Sequence, residues 1–139
     1  MAFTGNFLCD SFNPGLTSGR FDFSPTTTDV YYIALYTNSA TLDASTTAYT
    51  TTGEVVAAGY TAGGEVLSPI YVTSNGGAYI SFDPVSWSGS FTARGALIYK
   101  SGNNGAICVL DFGSDKTAST TFTVNFPAAN STNAIIRIE

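Results

Sequence analysis

Short runs of β-branched and aromatic residues recur along the chain, separated by glycine, proline, asparagine and serine. Such runs predict strands at 65–67, 70–72, 78–82, 91–99, 106–112 and 134–138. Residues 121–126 alternate strictly between polar and apolar, which predicts a strand with one buried face. Residues 30–36 are apolar at nearly every position, which indicates a strand that is covered on both faces.

Turn-forming residues connect these runs. Asn75-Gly76-Gly77 favours a β-hairpin, because Asn and Gly adopt the positive φ that a type I′ turn needs. Pro69 has no N–H to donate to a ladder, so it indicates a bulge, a break or an edge strand. We therefore expect an all-β fold, an antiparallel, jelly-roll-like sandwich or barrel of 7–8 short strands.

A short N-terminal helix is predicted at residues 3–12, because four apolar residues there share one helical face: Phe3, Phe7, Leu8 and Phe12. Thr4 is the expected N-cap, and the Asn-Pro-Gly sequence at 13–15 is expected to end the helix.

The length of 139 residues fits a single domain, which we assign to residues 1–139. Residues 1–23 form an N-terminal arm, and residues 29–139 form the β core. Within the core, residues 37–63 are rich in Thr, Ala and Gly and show little periodicity, with a short helix from Asp43 as one option. Loops of this length in a compact domain are usually functional or contact something.

Charged residues make up only 11% of the chain, and the net charge is −5. This acidity argues against nucleic acid and anionic membranes as partners, since both attract clustered Lys and Arg. The chain has no histidine, which excludes imidazole-based catalysis and His-ligated metals. No signal peptide is evident, so Cys9 and Cys108 are predicted to be reduced, with one disulfide as the alternative.

Among the carboxylates in the first half of the chain are Asp22, Asp29, Asp43, Glu54 and Glu65. A glycosidase needs two carboxylates facing each other across a cleft, and the spacing of these five matches no pattern of that kind. We interpret them as solvated loop residues. The sequence predicts no catalytic residue, no cofactor and no metal site.

Asp111-Phe112-Gly113 matches the metal-binding tripeptide of protein kinases by coincidence, because no other kinase motif accompanies it. With Ser114 and Asp115 it could offer oxygen ligands to calcium, but the EF-hand pattern is missing. Turn capping is the preferred interpretation of these residues.

Two further residues have a structural and a functional interpretation. Arg94 lies in an otherwise apolar strand, either ion-paired, with Glu54 as one partner, or at a protein interface. Trp87 lies in a small polar loop, either folded onto the core or exposed for binding protein or sugar.

A series of motifs covers nearly the whole chain in order: MAFTGNFLCDSF at 1–12, IALYTNSATL at 33–42, TGEV at 52–55, GYTAGG at 59–64, ARGALIY at 93–99, LDFG at 110–113, FP at 126–127 and AIIRI at 134–138. Through these motifs the chain resembles a family of small virion proteins of tailed bacteriophages. This resemblance implies a non-enzymatic virion component, with a head decoration or cement protein as the leading interpretation. Such a protein is made in the host cytoplasm and stabilises the outside of the capsid.

The expected partners are the major capsid protein and further copies of the chain, as a dimer or trimer. Candidate contact residues lie in the N-terminal arm and at two sites in the core: Phe3, Phe7, Phe12, Phe21, Phe23, Trp87 and Arg94. The alternatives are a tail, collar or fibre module that contacts the host, and more remotely an enzyme acting on polysaccharide.

Overall fold

A computed structural model describes Phe3 and residues 5–139. In this part the chain forms ten strands, all paired antiparallel, and one short helix. The prediction of an antiparallel, all-β, sandwich-like fold is therefore confirmed. The elements are β1 (Phe7–Leu8), α1 (Phe12–Thr17), β2 (Tyr31–Tyr36), β3 (Glu65–Leu67), β4 (Pro69–Ser74), β5 (Gly77–Phe82), β6 (Val85–Ser88), β7 (Phe91–Lys100), β8 (Ala106–Ala118), β9 (Thr121–Val124) and β10 (Ile136–Ile138).

The strands form three sheets. Sheet A has five strands in the order β1-β8-β7-β2-β3, sheet B has the order β10-β5-β4, and sheet C pairs β6 with β9. The chain passes from the edge of sheet A to the edge of sheet B at Ser68, between β3 and β4. Pro69 begins β4, the edge strand of sheet B, as its missing N–H predicts.

The centre of sheet A, at β2, β7 and the start of β8, is buried on both faces. On one face, Ile33 and Ile98 belong to a core cluster that also contains residues of sheets B and C and of α1. On the other face, Ala34 and Leu97 pack with Leu42 and other residues of segment 37–63. This second cover explains why β2 is apolar at nearly every position.

The β4–β5 hairpin has the predicted turn. Asn75 and Gly76 have φ values of 51° and 82°, both in the left-handed region that a type I′ turn requires. Ser74 and Gly77 flank this turn as a directly opposed pair.

The predicted helix at 3–12 is wrong in its position. Phe7–Leu8 is a strand, β1, that pairs with the edge of β8, and the helix occupies Phe12–Thr17. Pro14 lies in the first turn of α1, where its missing N–H would have no intrahelical partner anyway. The expected cap Thr4 lies outside the described residues. No helix forms at Asp43, whose carboxylate accepts the Ser45 N–H at 2.9 Å within a turn.

Candidate functional site

Glu54 is buried in the middle of segment 37–63, with 7% of its surface exposed. Its carboxylate accepts hydrogen bonds from the hydroxyls of Tyr49, at 2.5 Å, and Tyr60, at 2.6 Å. A third bond comes from the Gly63 N–H at 2.8 Å. We call Glu54, Tyr49, Tyr60 and Gly63 the Glu54 cluster. The prediction that Glu54 is a solvated loop carboxylate is wrong.

Strand β2 positions this cluster. The Val55 N–H donates to the Leu35 carbonyl at 3.0 Å, which holds the segment against the free edge of β2 beyond β3. The Leu35 N–H in turn donates to the Tyr60 hydroxyl at 2.9 Å. The Tyr99 hydroxyl of β7 donates to the Gly63 carbonyl at 2.7 Å. Bonds from side chains thus attach the segment to sheet A where no continuous ladder exists.

The tyrosines of this region are held in their neutral, hydrogen-donating form. Burial, and next the hydrogen bond to Glu54, raise the pKa of Tyr60 far above its usual value. Burial and the nearby Glu54 carboxylate raise the pKa of Tyr99 to about 12. The donors to Glu54 come from Tyr49, Tyr60 and Gly63 of segment 37–63, so the Glu54 cluster fastens this segment.

Arg94 pairs with Asp111 on the neighbouring strand β8, so the suggested Arg94–Glu54 pair is wrong. The two partners lie at a register irregularity where Ala93 and Gly95 of β7 face residues far apart on β8. The Arg94 guanidinium also lies 5.7 Å from the centre of the Phe3 ring, a cation–π contact. This arrangement anchors the N-terminal arm onto sheet A and accounts for a charged residue within β7.

The turn expected at residues 111–115 does not form, because they lie inside β8; the Asp111 carboxylate accepts the Gly113 N–H at 2.8 Å within a bulge of that strand. Asp29 forms an ion pair with Lys100 at 3.0 Å. Within Phe3 and residues 5–139, no group of three His, Cys, Asp or Glu side chains is arranged to hold a metal ion.

The aromatic residues expected at an interface lie in the interior. Five of them are at most 5% exposed: Phe3, Phe12, Phe21, Phe23 and Trp87. Phe7 is partly buried and packs against the same core cluster as Phe3. A partner could not reach the five buried side chains without opening the core, so they contribute to folding rather than to an exposed contact patch.

Trp87 lies on β6 instead of in a loop and contacts Tyr60 and Phe122 at ring-centroid distances of 6.1 and 6.3 Å. Within the described residues its indole N–H is buried without a hydrogen-bond partner. Leaving that donor unpaired costs about 1–3 kcal/mol. Burying a Trp side chain contributes about 4–6 kcal/mol, which outweighs that cost.

Four of the exposed large apolar residues fall on one short stretch where sheets A and B meet. Val66 is 58% exposed, and Ile70, Tyr71 and Val72 are 37–39% exposed. We call residues 65–74 the β3–β4 edge, because β3 and β4 are edge strands of their sheets. The sequence pattern predicts these strands but indicates no function for them.

A second surface feature is an open groove of about 460 Å³ beside β9. Its walls come from β9, the end of β8 and the β8 bulge, and they include Phe112, Lys116, Thr121 and Asn125. We call this the β9 groove. Its lining mixes two aromatic rings, Phe112 and Phe122, with hydroxyl, amide and ammonium groups.

Cys9 and Cys108 are both free and buried, in agreement with the predicted reduced state. Burial, and next the charge of Asp10, raise the pKa of the Cys9 thiol to about 12. Neither thiol is therefore a ready nucleophile at neutral pH.

Compared with known proteins, the chain matches no family model, no curated protein and no solved structure. Among the helices of the described residues, none has the length and apolar character needed to span a bilayer.

Proposed function

We propose that the chain is a non-enzymatic structural protein of a bacteriophage virion, and that it binds the outside of the major capsid protein lattice and stabilises the head. The whole-chain resemblance to small virion proteins carries the location in this proposal, and the closed Glu54 cluster supports its non-enzymatic part. The cluster contains the kind of group that a catalytic site would use, yet its carboxylate is occupied by donors of its own chain.

The rest of the domain supports a structural role. Glu54 and Ser81 are the two buried polar residues of the described chain, and Ser81 donates to the Pro127 carbonyl at 2.5 Å. The centre of sheet A is packed on both faces, which makes the domain stiff. A net charge of −5 suits an outer surface better than contact with packaged DNA. The resemblance to small virion proteins supplies the location.

Copy number in purified virions tests the proposal. Hundreds of copies per particle, measured by quantitative mass spectrometry against a labelled standard, are expected for a head decoration protein. Particles lacking the protein should lose their DNA at lower temperature, and adding the purified chain should restore their resistance. A dozen copies or fewer, or location on isolated tails only, would overturn the assignment to the head.

The β9 groove favours a second candidate, a tail or fibre-associated module that binds a host glycan. Aromatic rings flanked by hydroxyl and amide groups can bind sugars through apolar contact and hydrogen bonds. Glycan-array binding that is lost in Phe112→Ala, together with a low copy number, would support this candidate over the head protein. Binding unaffected by this change would argue against the groove as the site.

A further inference from the structure

Strand β4 has one hydrogen-bonding side without a partner. Ser74 and Gly77 flank the two-residue turn, and such a pair exchanges both of its backbone hydrogen bonds. Because the pattern alternates along the strand, Val72 directs its N–H and C=O towards β5, whereas Tyr71 and Thr73 direct theirs outward. In the described part of the chain, no hydrogen bond outside the β4–β5 ladder uses these outward groups.

This edge lacks the usual protection against pairing. Natural edge strands carry charged residues, bulges or proline, or are covered by another segment. From Val66 to Phe82 the sequence contains no charged residue, and proline occurs only at the first position of β4. Ile70, Tyr71 and Val72 are apolar and exposed at the same place. An unprotected edge of this kind is a surface for strand addition.

We propose that β4 pairs antiparallel with β4 of a second copy of the chain, joining two copies of sheet B into one six-stranded sheet. The charge distribution favours a second copy as the occupant. A chain of net charge −5 repels itself over most of its surface, but residues 66–82, which form this edge, carry no charge. A strongly charged partner would find no complementary group along residues 66–82.

Pro69 sets the register of the pair. If Val72 faces Val72 of the second copy across the twofold axis, Tyr71 pairs with Thr73 of the other copy. The outward N–H and C=O groups of both residues are then used, and Pro69 stays outside the hydrogen-bonded pairs. A register centred on Tyr71 would place Pro69 opposite Thr73 and leave the Thr73 carbonyl without a donor.

The interface is small. Six residues of strand span about 20 Å, and the contact falls below the roughly 800 Å² per partner of a standard stable complex. We therefore expect reversible association with a dissociation constant of about 10–500 µM. On a particle carrying many copies, such weak contacts would add up through high local concentration.

Sedimentation velocity of the purified full chain over a concentration series that reaches about 500 µM tests the proposal. The wild-type chain should shift from monomer to dimer. Val72→Lys should remain monomeric, because two lysines would face each other across the axis. Leu8→Lys is the matched control and should dimerise like the wild type. It places the same charge on an exposed apolar residue of β1, the edge strand of sheet A at the far end from β3.

Charge complementation distinguishes this dimer from any other. Val72→Glu alone should also be monomeric, and an equimolar mixture of Val72→Lys and Val72→Glu should regain the dimer. In the wild type, amide exchange should slow with concentration at Tyr71 and Thr73, while the Val72 amide stays protected throughout. A monomer at every concentration, an unaffected Val72→Lys dimer or a mixture that stays monomeric would each overturn the proposal. None of these results changes the virion copy number, so the proposed function is tested separately.

Discussion

Replacing Glu54 tests whether its hydrogen bonds fasten segment 37–63 to sheet A. Hydrogen bonds to a charged group contribute about 1.5–3 kcal/mol each, and Glu54 accepts three. In Glu54→Gln the amide keeps the size of the side chain but loses the charge. Its NH₂ group would face Tyr49, which supplies the single bond on that side, and the Tyr49 hydroxyl would have to turn and accept. We expect Glu54→Gln to lower the free energy of unfolding by about 2 kcal/mol.

Glu54→Ala removes the acceptor entirely and leaves the Tyr60 hydroxyl and the Gly63 N–H without it. Each buried donor without a partner costs about 1–3 kcal/mol, and the lost side chain adds a cavity. We expect a loss of about 3–5 kcal/mol, a large part of the 5–15 kcal/mol that is typical for a domain.

Urea unfolding followed by fluorescence is a suitable assay, because Trp87 is the only tryptophan and is 2% exposed. With a denaturant slope of about 1.5 kcal/mol/M, Glu54→Gln should lower the midpoint by about 1.3 M. Glu65→Gln makes the same chemical change on an exposed side chain and should stay within about 0.5 kcal/mol of the wild type. Equal midpoints for the two variants would refute the fastening role of Glu54.

Three further predictions follow from buried groups and backbone geometry. Burial raises the pKa of the Cys9 and Cys108 thiols and of the Tyr36 and Tyr60 hydroxyls in the folded state. Stability should therefore hold up to about pH 8, fall as the thiols of the unfolded chain ionise, and fall more steeply above about pH 10 as its tyrosines ionise; a urea midpoint that stays constant from about pH 8 to about pH 11.5 would contradict this. Gly64→Ala should lower the free energy of unfolding by about 3 kcal/mol or more, because a Cβ would overlap the Ile33 carbonyl. Gly76 also has a positive φ, but a Cβ there meets no atom, so Gly76→Ala should lower it by only about 1 kcal/mol. Thermal melting of both variants checks this, and similar losses would argue against the overlap. Iodoacetamide should label Cys9 rapidly only in unfolded protein, and fast labelling of the native chain would show that the thiol is accessible.

The strands with a clear local pattern were predictable. Residues 30–36 indicated burial on both faces, and β2 has it. The sequence could not show what covers the second face, because segment 37–63 has neither helical nor strand periodicity. Its position depends on long-range bonds such as Tyr99 to Gly63, which leave no local sequence pattern.

β6 was missed although a signal was present. Val85 and Trp87 alternate with Ser86 and Ser88, which is the period of a half-buried strand, but the surrounding serines and glycine suggested a loop. The pairing of Ser86 with Thr123 explains why these polar residues fit a strand, since their hydroxyls lie 2.9 Å apart on its exposed face.

Side-chain roles were harder to predict than strands. Phe21 and Phe23 are candidate interface residues in the sequence, because a decoration protein is expected to show an aromatic contact patch. In the structure Phe12 contacts both rings, at centroid distances of 5.3 and 6.2 Å, so α1 and the arm close one end of the core. Glu54 gave no signal at all, because a carboxylate in a polar loop has the same sequence context whether it is solvated or buried.

The pairing of β2 also determines when the chain can fold during synthesis. Its partners on β7 lie far along the sequence, from Tyr36 with Gly95, 59 residues apart, to Tyr31 with Lys100, 69 residues apart. At about 5–20 residues per second, a ribosome needs roughly 3–14 s to make that intervening stretch. During this time only the three-residue β3 is available to pair with β2, so the β7 side of a strand that is apolar on both faces has no partner. A protein made in large amounts with this topology depends on fast completion of the chain, or on chaperones that shield β2.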